Sequence, residues 1–122
     1  VIFVTQASRY NMNNPHYFTW VDGKDGKVDT ISVKNRSNDT DLVMIGSFYF
    51  KENSLLLEYI NKIFQEDIKT NGEFYIDNVF ELLIKTHKVG YIIVDNYFSF
   101  GTPDEYLENK YWYNIFKSKM RD

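Results

Sequence analysis

Few side chains in this sequence are suited to chemistry, and their spacing narrows what they can do. The two histidines, His16 and His87, lie far apart in the chain and there is no cysteine. A thiolate zinc site and a disulfide framework are therefore excluded, and a histidine-based metal site is not expected. The acidic stretch Asp22-Gly23-Lys24-Asp25-Gly26 has the composition of a calcium loop, but it lacks the EF-hand spacing and the closing glutamate. Its two Asp-Gly pairs read as turns. Lys34 stands alone after a strand and is by itself a solvated surface residue. Glu73 opens a helix, where a carboxylate offsets the helix dipole. Gly46 interrupts an apolar strand, which marks either a packing bulge or a place where a ligand meets backbone. Gly101 precedes a helix start, where the backbone can approach a ligand closely.

The elements that position these residues centre on the stretch from Asn71 to Pro103. An Asn-Gly turn leads into it. Ile76, Val79, Phe80, Leu83 and His87 then recur at helical spacing, predicting an amphipathic helix that stops near Lys88. Val89 and Tyr91 to Val94 form a short apolar run, expected to be an interior strand covered on both faces. Thr102-Pro103-Asp104-Glu105 is a strong helix start, with Thr102 as cap, Pro103 at the first helical position and Glu105 completing a capping box. That helix runs to about Lys119, with Leu107, Tyr111, Trp112, Ile115 and Phe116 on one side. Such an aromatic face packs on its own domain or contacts a part that is missing.

Upstream, Val1 to Thr5 and Tyr17 to Val21 read as strands, with a polar, Asn-rich loop from Gln6 to His16 between them. The Asp-Gly turns join the second strand to Val28–Val33 as a hairpin. Leu42 to Phe50 is a further strand. Asn53 is placed to cap a helix whose stripe is Leu56, Tyr59, Ile60, Ile63 and Phe64.

These elements carry a family resemblance. Gly72-Glu73-Phe74-Tyr75-Ile76-Asp77, the apolar strand ending in Val94-Asp95, and Phe100-Gly101-Thr102-Pro103-Asp104-Glu105 resemble the C-terminal half of the sugar nucleotidyltransferases, the nucleoside-diphosphate-sugar pyrophosphorylases. Val33-Lys34-Asn35 resembles the family's Glu-Lys-Pro segment, and Ile45-Gly46-Ser47-Phe48-Tyr49-Phe50 its Gly-x-Tyr-x-Phe strand. These weak motifs thus occur in the right order across nearly the whole chain.

The resemblance implies an α/β fold, a mixed sheet with packed helices, forming the C-terminal part of a nucleotide-diphospho-sugar transferase-like fold. It also implies a parent protein using a nucleoside triphosphate and a sugar 1-phosphate to make nucleotide-sugar precursors for bacterial surface polysaccharide. Lys34 matches the lysine that contacts the sugar phosphate, Glu73 the acid that accepts from sugar hydroxyls, and Gly46 a backbone amide donor; Gly101 sits in the matching Gly-Thr corner. Asp77 is expected at a helix terminus rather than on a ligand. Many members carry an Asp that helps hold Mg²⁺ where this chain has Ser99, and a hydroxyl is a poor Mg²⁺ ligand beside a carboxylate. Asp95 is the available substitute. The Gly-rich nucleotide-binding segment of the family's N-terminal half has no counterpart, so this chain alone should not catalyse transfer. A non-catalytic binding or assembly module that keeps the fold is the alternative.

Length and composition agree with a single domain over residues 1–122. Hydrophobic residues make up 43% and aromatics 18%, enough to build a core. Net charge is −3 with no Lys/Arg block, which argues against a nucleic-acid polymer as partner. No apolar run approaches the roughly 18 residues of a membrane helix and no signal-peptide layout is present, so a cytoplasmic protein without a membrane partner is expected. The sequons at Asn35 and Asn38 are then chance matches. Because the first residue is Val, the chain is expected to be cut from something longer. The nucleobase, the sugar and the oligomeric state are not legible, and a homo-oligomer stays open.

Overall fold

The computed structural model of the chain describes residues 1–37 and 39–120; Asn38, one of the two sequons, lies outside the described residues. Strands β1 (Ile2–Gln6), β2 (Trp20–Lys24), β3 (Lys27–Ser32), β4 (Leu42–Phe48) and β5 (Tyr91–Ile93) form one sheet in the order β3-β2-β4-β1-β5. Only the β1–β5 pairing is parallel, so the sheet is mixed. Helices α1 (Arg9–Asn13), α2 (Asn53–Gln65), α3 (Ile76–Leu83) and α4 (Pro103–Lys119) complete the α/β architecture, with a 3₁₀ turn at Pro15–Tyr17.

The hairpin forms as the Asp-Gly pair dictates. Asp25 (φ 52°) and Gly26 (φ 77°) both adopt the left-handed conformation that a tight two-residue turn requires. The hairpin end then bends over toward β5: the Val28 amide donates to the Val89 carbonyl (2.9 Å) and the Tyr91 amide to the Gly26 carbonyl (2.9 Å). Gly23 is needed for this closeness, since a Cβ there would lie 2.2 Å from the Lys27 carbonyl oxygen.

One sheet face, carrying Ile2, Val4, Val21, Val28, Ile31 and Met44, packs against Tyr59 and Ile63 of α2 and Val79, Phe80 and Leu83 of α3. The Phe80 ring lies against both Phe48 (4.9 Å) and Phe50 (5.2 Å). Emptying that position would cost about 3–5 kcal/mol, the usual range for a buried Phe→Ala change.

Four local expectations are corrected. β5 is an edge strand, not an interior one: β1 is its neighbour in the sheet order, only its first residue, Tyr91, also bonds the hairpin turn, and Ile92 and Ile93 are 50% and 44% exposed. An unbroken apolar run signals burial on both faces, but among the described residues no strand or layer covers β5 on its outer side. α3 ends at Leu83, not near Lys88; three turn residues follow, and His87 is exposed and bonded to Thr86 (2.9 Å) rather than on the apolar face. Asn53 is the first residue of α2, whose cap position is Glu52 without a side-chain bond. The expected loop from Gln6 to His16 contains α1, because Ser8 and Asn11 make a reciprocal capping box.

Candidate functional site

Lys34 sits where the chain leaves β3, in a left-handed conformation (φ 55°) that costs a non-glycine residue about 1–2 kcal/mol. Its half-buried side chain is fixed from two sides. The ammonium donates to the Tyr17 carbonyl (2.5 Å) and lies 5.1 Å from the centre of the Tyr75 ring. Tyr17 ends the 3₁₀ turn leading to β2, so β2 and β3 position the lysine jointly.

Glu73 is placed by the Asn-Gly turn. Asn71 (φ 52°) and Gly72 (φ 81°) reverse the chain, and Thr70 and Glu73 exchange two backbone hydrogen bonds (2.9 and 3.1 Å). The exposed Glu73 carboxylate accepts from the Tyr75 hydroxyl (2.6 Å). That bond holds the proton on the phenol and raises the Tyr75 pKa above its ordinary value of 10; partial burial and the charges of Glu73 and Asp77 push it the same way. Lys34, Tyr75 and Glu73 therefore form one continuous group, with an ammonium at one end and a carboxylate at the other. Beside it, Asp77 in the first turn of α3 accepts from the buried Thr19 hydroxyl (2.5 Å). Asp77 thus ties α3 to the start of β2, which agrees with a helix-terminal role.

Gly46 lies on the bulge of β4. Ile2 pairs with Phe48 and Val4 with Met44, so Ile45, Gly46 and Ser47 all oppose Phe3. Gly46 is exposed with φ 79°, and a Cβ there would meet nothing within 4 Å; backbone conformation, not crowding, calls for glycine. Two residues back, the Met44 amide donates to the Thr19 carbonyl (2.9 Å), which links this part of β4 to the Thr19–Asp77 corner.

Gly101 belongs to a second corner. Its amide donates to the Ser99 hydroxyl (3.3 Å), and a Cβ there would meet Ser99 and Glu105 at ordinary contact distance. The expected α4 cap is formed: the Thr102 hydroxyl accepts from the Glu105 amide (3.3 Å) and donates to the buried Glu105 carboxylate (3.0 Å). The two corners connect through aromatic side chains. Lys34 binds Tyr17, Tyr17 contacts Phe18, Phe18 contacts Tyr10, and the Tyr10 hydroxyl meets Thr102 (3.2 Å). A cleft of about 270 Å³, lined in part by Gln6, Asn11, Ser99, Glu105, Asn109 and Trp112, opens between β1, α1 and α4. It lies past the C-terminal ends of the parallel strands, where open α/β sheets bind ligands.

A magnesium ion does not fit what this chain alone provides. Ser99 is engaged with Gly101, Asp95 is exposed, and among the described residues no three His, Cys, Asp or Glu side chains are grouped to hold a metal. Tyr75, Thr19 and Tyr10 were not legible as site residues. Tyr75 had a signal, being two residues from Glu73 and thus able to reach back across the turn; the others depend on contacts distant in sequence.

These elements define a mixed α/β fold, a five-stranded mixed sheet with packed helices. The structure is similar to the nucleoside-diphosphate-sugar pyrophosphorylase from Vibrio cholerae RC9, with a TM-score of 0.66 and 22% identity over 88% of this chain and 44% of that one. The chain thus spans less than half the length of that protein. Neither a protein-family model nor a curated protein matches the sequence.

Proposed function

We propose that this chain is the C-terminal, sugar-1-phosphate-binding part of a nucleotidyltransferase that makes nucleotide sugars for a bacterial surface polysaccharide, acting in the cytoplasm. The observation that carries the proposal is Lys34: a lysine held in a strained left-handed turn, braced by the Tyr17 carbonyl and the Tyr75 ring, and joined through Tyr75 to Glu73. Such strain persists only where the surroundings over-determine it, and it clusters at functional sites.

In this account a sugar-phosphate oxygen attacks the α-phosphorus of a nucleoside triphosphate, and pyrophosphate leaves. Lys34 has three donors and uses one on Tyr17, leaving its charge available to a phosphate. Glu73 uses one acceptor position on Tyr75 and offers the rest to sugar hydroxyls. Gly46 contributes the outward backbone of the bulge, and Gly101 the backbone of the α4 corner. The triphosphate is held by a segment outside this chain. Ser99 favours a second reading, a non-catalytic module on the same fold, because its hydroxyl stands where a metal-holding carboxylate is expected.

Pyrophosphate release from a nucleoside triphosphate and a sugar 1-phosphate tests the choice. The isolated chain should release none. In a longer protein containing it, Lys34→Ala should lower kcat/KM for the sugar phosphate about ten- to a hundredfold, the loss of one charge-assisted hydrogen bond. Unchanged efficiency would remove Lys34 from the site.

A further inference from the structure

We infer that the cleft between β1, α1 and α4 is a nucleoside site that takes a guanine base. Asn11 and Glu105 line it although each is only 8% exposed, and together with Asn109 they share one feature: one polar atom is held by the fold and one is left over. The Asn11 Oδ1 accepts from the Ser8 amide (2.8 Å) and the Ser8 hydroxyl (2.9 Å), which fixes the side-chain amide and leaves Nδ2 free. The Glu105 Oε2 accepts from Thr102 (3.0 Å) and leaves Oε1. The Asn109 Nδ2 donates to the Ser99 carbonyl (2.5 Å) and leaves Oδ1. Among the described residues no buried side-chain nitrogen or oxygen lacks a partner, so these leftover atoms keep accessible surface, and the cleft is the space they line.

The cleft therefore offers one donor, Asn11 Nδ2, and two acceptors, Glu105 Oε1 and Asn109 Oδ1. Its ligand must present the reverse, one acceptor beside two donors. Charge narrows the class further: Glu105 and Glu108 line the cleft and, among the described residues, no lysine or arginine does, so a phosphate or carboxylate is repelled. The wall is aromatic as well as polar. Trp112 is 45% exposed yet braced by the Phe116 ring (6.1 Å, 28° between planes) and the edge of Tyr111 (5.4 Å), and Tyr10 and Tyr97 join it in the lining. A braced and open indole is a stacking platform for a planar ring.

Among the nucleobases guanine alone carries that pattern on its Watson–Crick edge, where O6 accepts while N1–H and the 2-amino group donate. Uracil sets one donor between two acceptors, cytosine has one amino group beside two acceptors, and adenine has one amino group beside one acceptor. The Glu105 carboxylate on N1–H would make the strongest of the three bonds, because it is charge-assisted. A sugar gains no such selectivity, since its hydroxyls donate and accept alike. At about 270 Å³ the cleft has room for a base and part of its ribose, just below the roughly 300–1,000 Å³ of sites that enclose larger ligands. Any phosphate then lies outside, away from Glu108.

The test is a ¹⁵N NMR titration of the 122-residue chain with guanosine, inosine, adenosine and glucose, each to about 1 mM. Guanosine should shift the side-chain amides of Asn11 and Asn109 and the Trp112 indole N–H saturably. Inosine lacks the 2-amino group and should bind about tenfold more weakly, while adenosine and glucose should leave these signals in place. Glu105→Gln keeps an oxygen for Thr102 but turns the free acceptor into a donor, so it should weaken guanosine by at least about tenfold. Trp112→Leu changes an exposed side chain and leaves the α4 cap intact; it too should weaken guanosine, read at Asn11 and Asn109, and it decides the matter if Glu105→Gln does not fold. These readouts involve neither Lys34 nor a sugar phosphate, so they stand or fall apart from the function proposed above. No shift with guanosine, equal shifts with inosine, adenosine or glucose, or undiminished guanosine binding in Trp112→Leu overturns the inference.

Discussion

Substituting Lys34 by Ala and by Gly should reverse the usual order of those two residues. Alanine removes the hydrogen bond to the Tyr17 carbonyl, about 1 kcal/mol, and the contact with the Tyr75 ring, about 0.5–1 kcal/mol. It keeps a Cβ in the left-handed conformation, so the total loss is about 1.5–2 kcal/mol. Glycine loses the same contacts but relieves about 1 kcal/mol of backbone strain at φ 55°, leaving a net loss of about 0.5–1 kcal/mol. Unfolding entropy scales with length, and for 122 residues a change of 1 kcal/mol moves Tm by roughly 4 °C. Differential scanning calorimetry should thus show Tm lowered by about 6–8 °C in Lys34→Ala and about 2–4 °C in Lys34→Gly. A glycine variant less stable than the alanine variant would refute the left-handed turn. Both variants unchanged would mean the lysine is free in solution.

Two further outcomes follow from the hydrogen bonds. Thr102→Ala removes the α4 cap and a donor to the buried Glu105 carboxylate, so urea denaturation should show a loss of about 1–2 kcal/mol; an unchanged midpoint would mean the cap is not formed. The Tyr75–Glu73 bond needs the phenol proton. The Tyr75 pKa is raised on folding, so its contribution is complete below the ordinary phenol value near 10 and is lost as pH climbs through the higher folded value. Tyr75→Phe should therefore differ from the parent in chemical denaturation at pH 8 and converge with it in strong alkali, whereas a pH-independent difference would exclude the bond.

Local chemistry was the most legible part of the chain. Asp25-Gly26 and Asn71-Gly72 specify turns through residues that accept positive φ, and Thr102-Pro103 specifies a helix start, so each was readable within a few residues. β5 was misplaced because an apolar run records what a strand would bury, not what lies beside it. The helical periodicity that predicts a helix-face position for His87 continues past Leu83, where the backbone has already turned. At the site, the resemblance marked Lys34 and Glu73, and the structure brings them together through a tyrosine it did not mark. No pattern in sequence predicts that Tyr17 and Tyr75 brace Lys34, since both contacts join distant segments.

The most direct test of the proposed site is a ¹⁵N NMR titration of the 122-residue chain with glucose 1-phosphate, with glucose and inorganic phosphate as separate controls. The account predicts saturable amide shifts at Lys34, Gly46 and Glu73 to Tyr75, larger for the sugar phosphate than for either half, and abolished by Lys34→Ala. Shifts confined to other residues, or equal with inorganic phosphate alone, would contradict it.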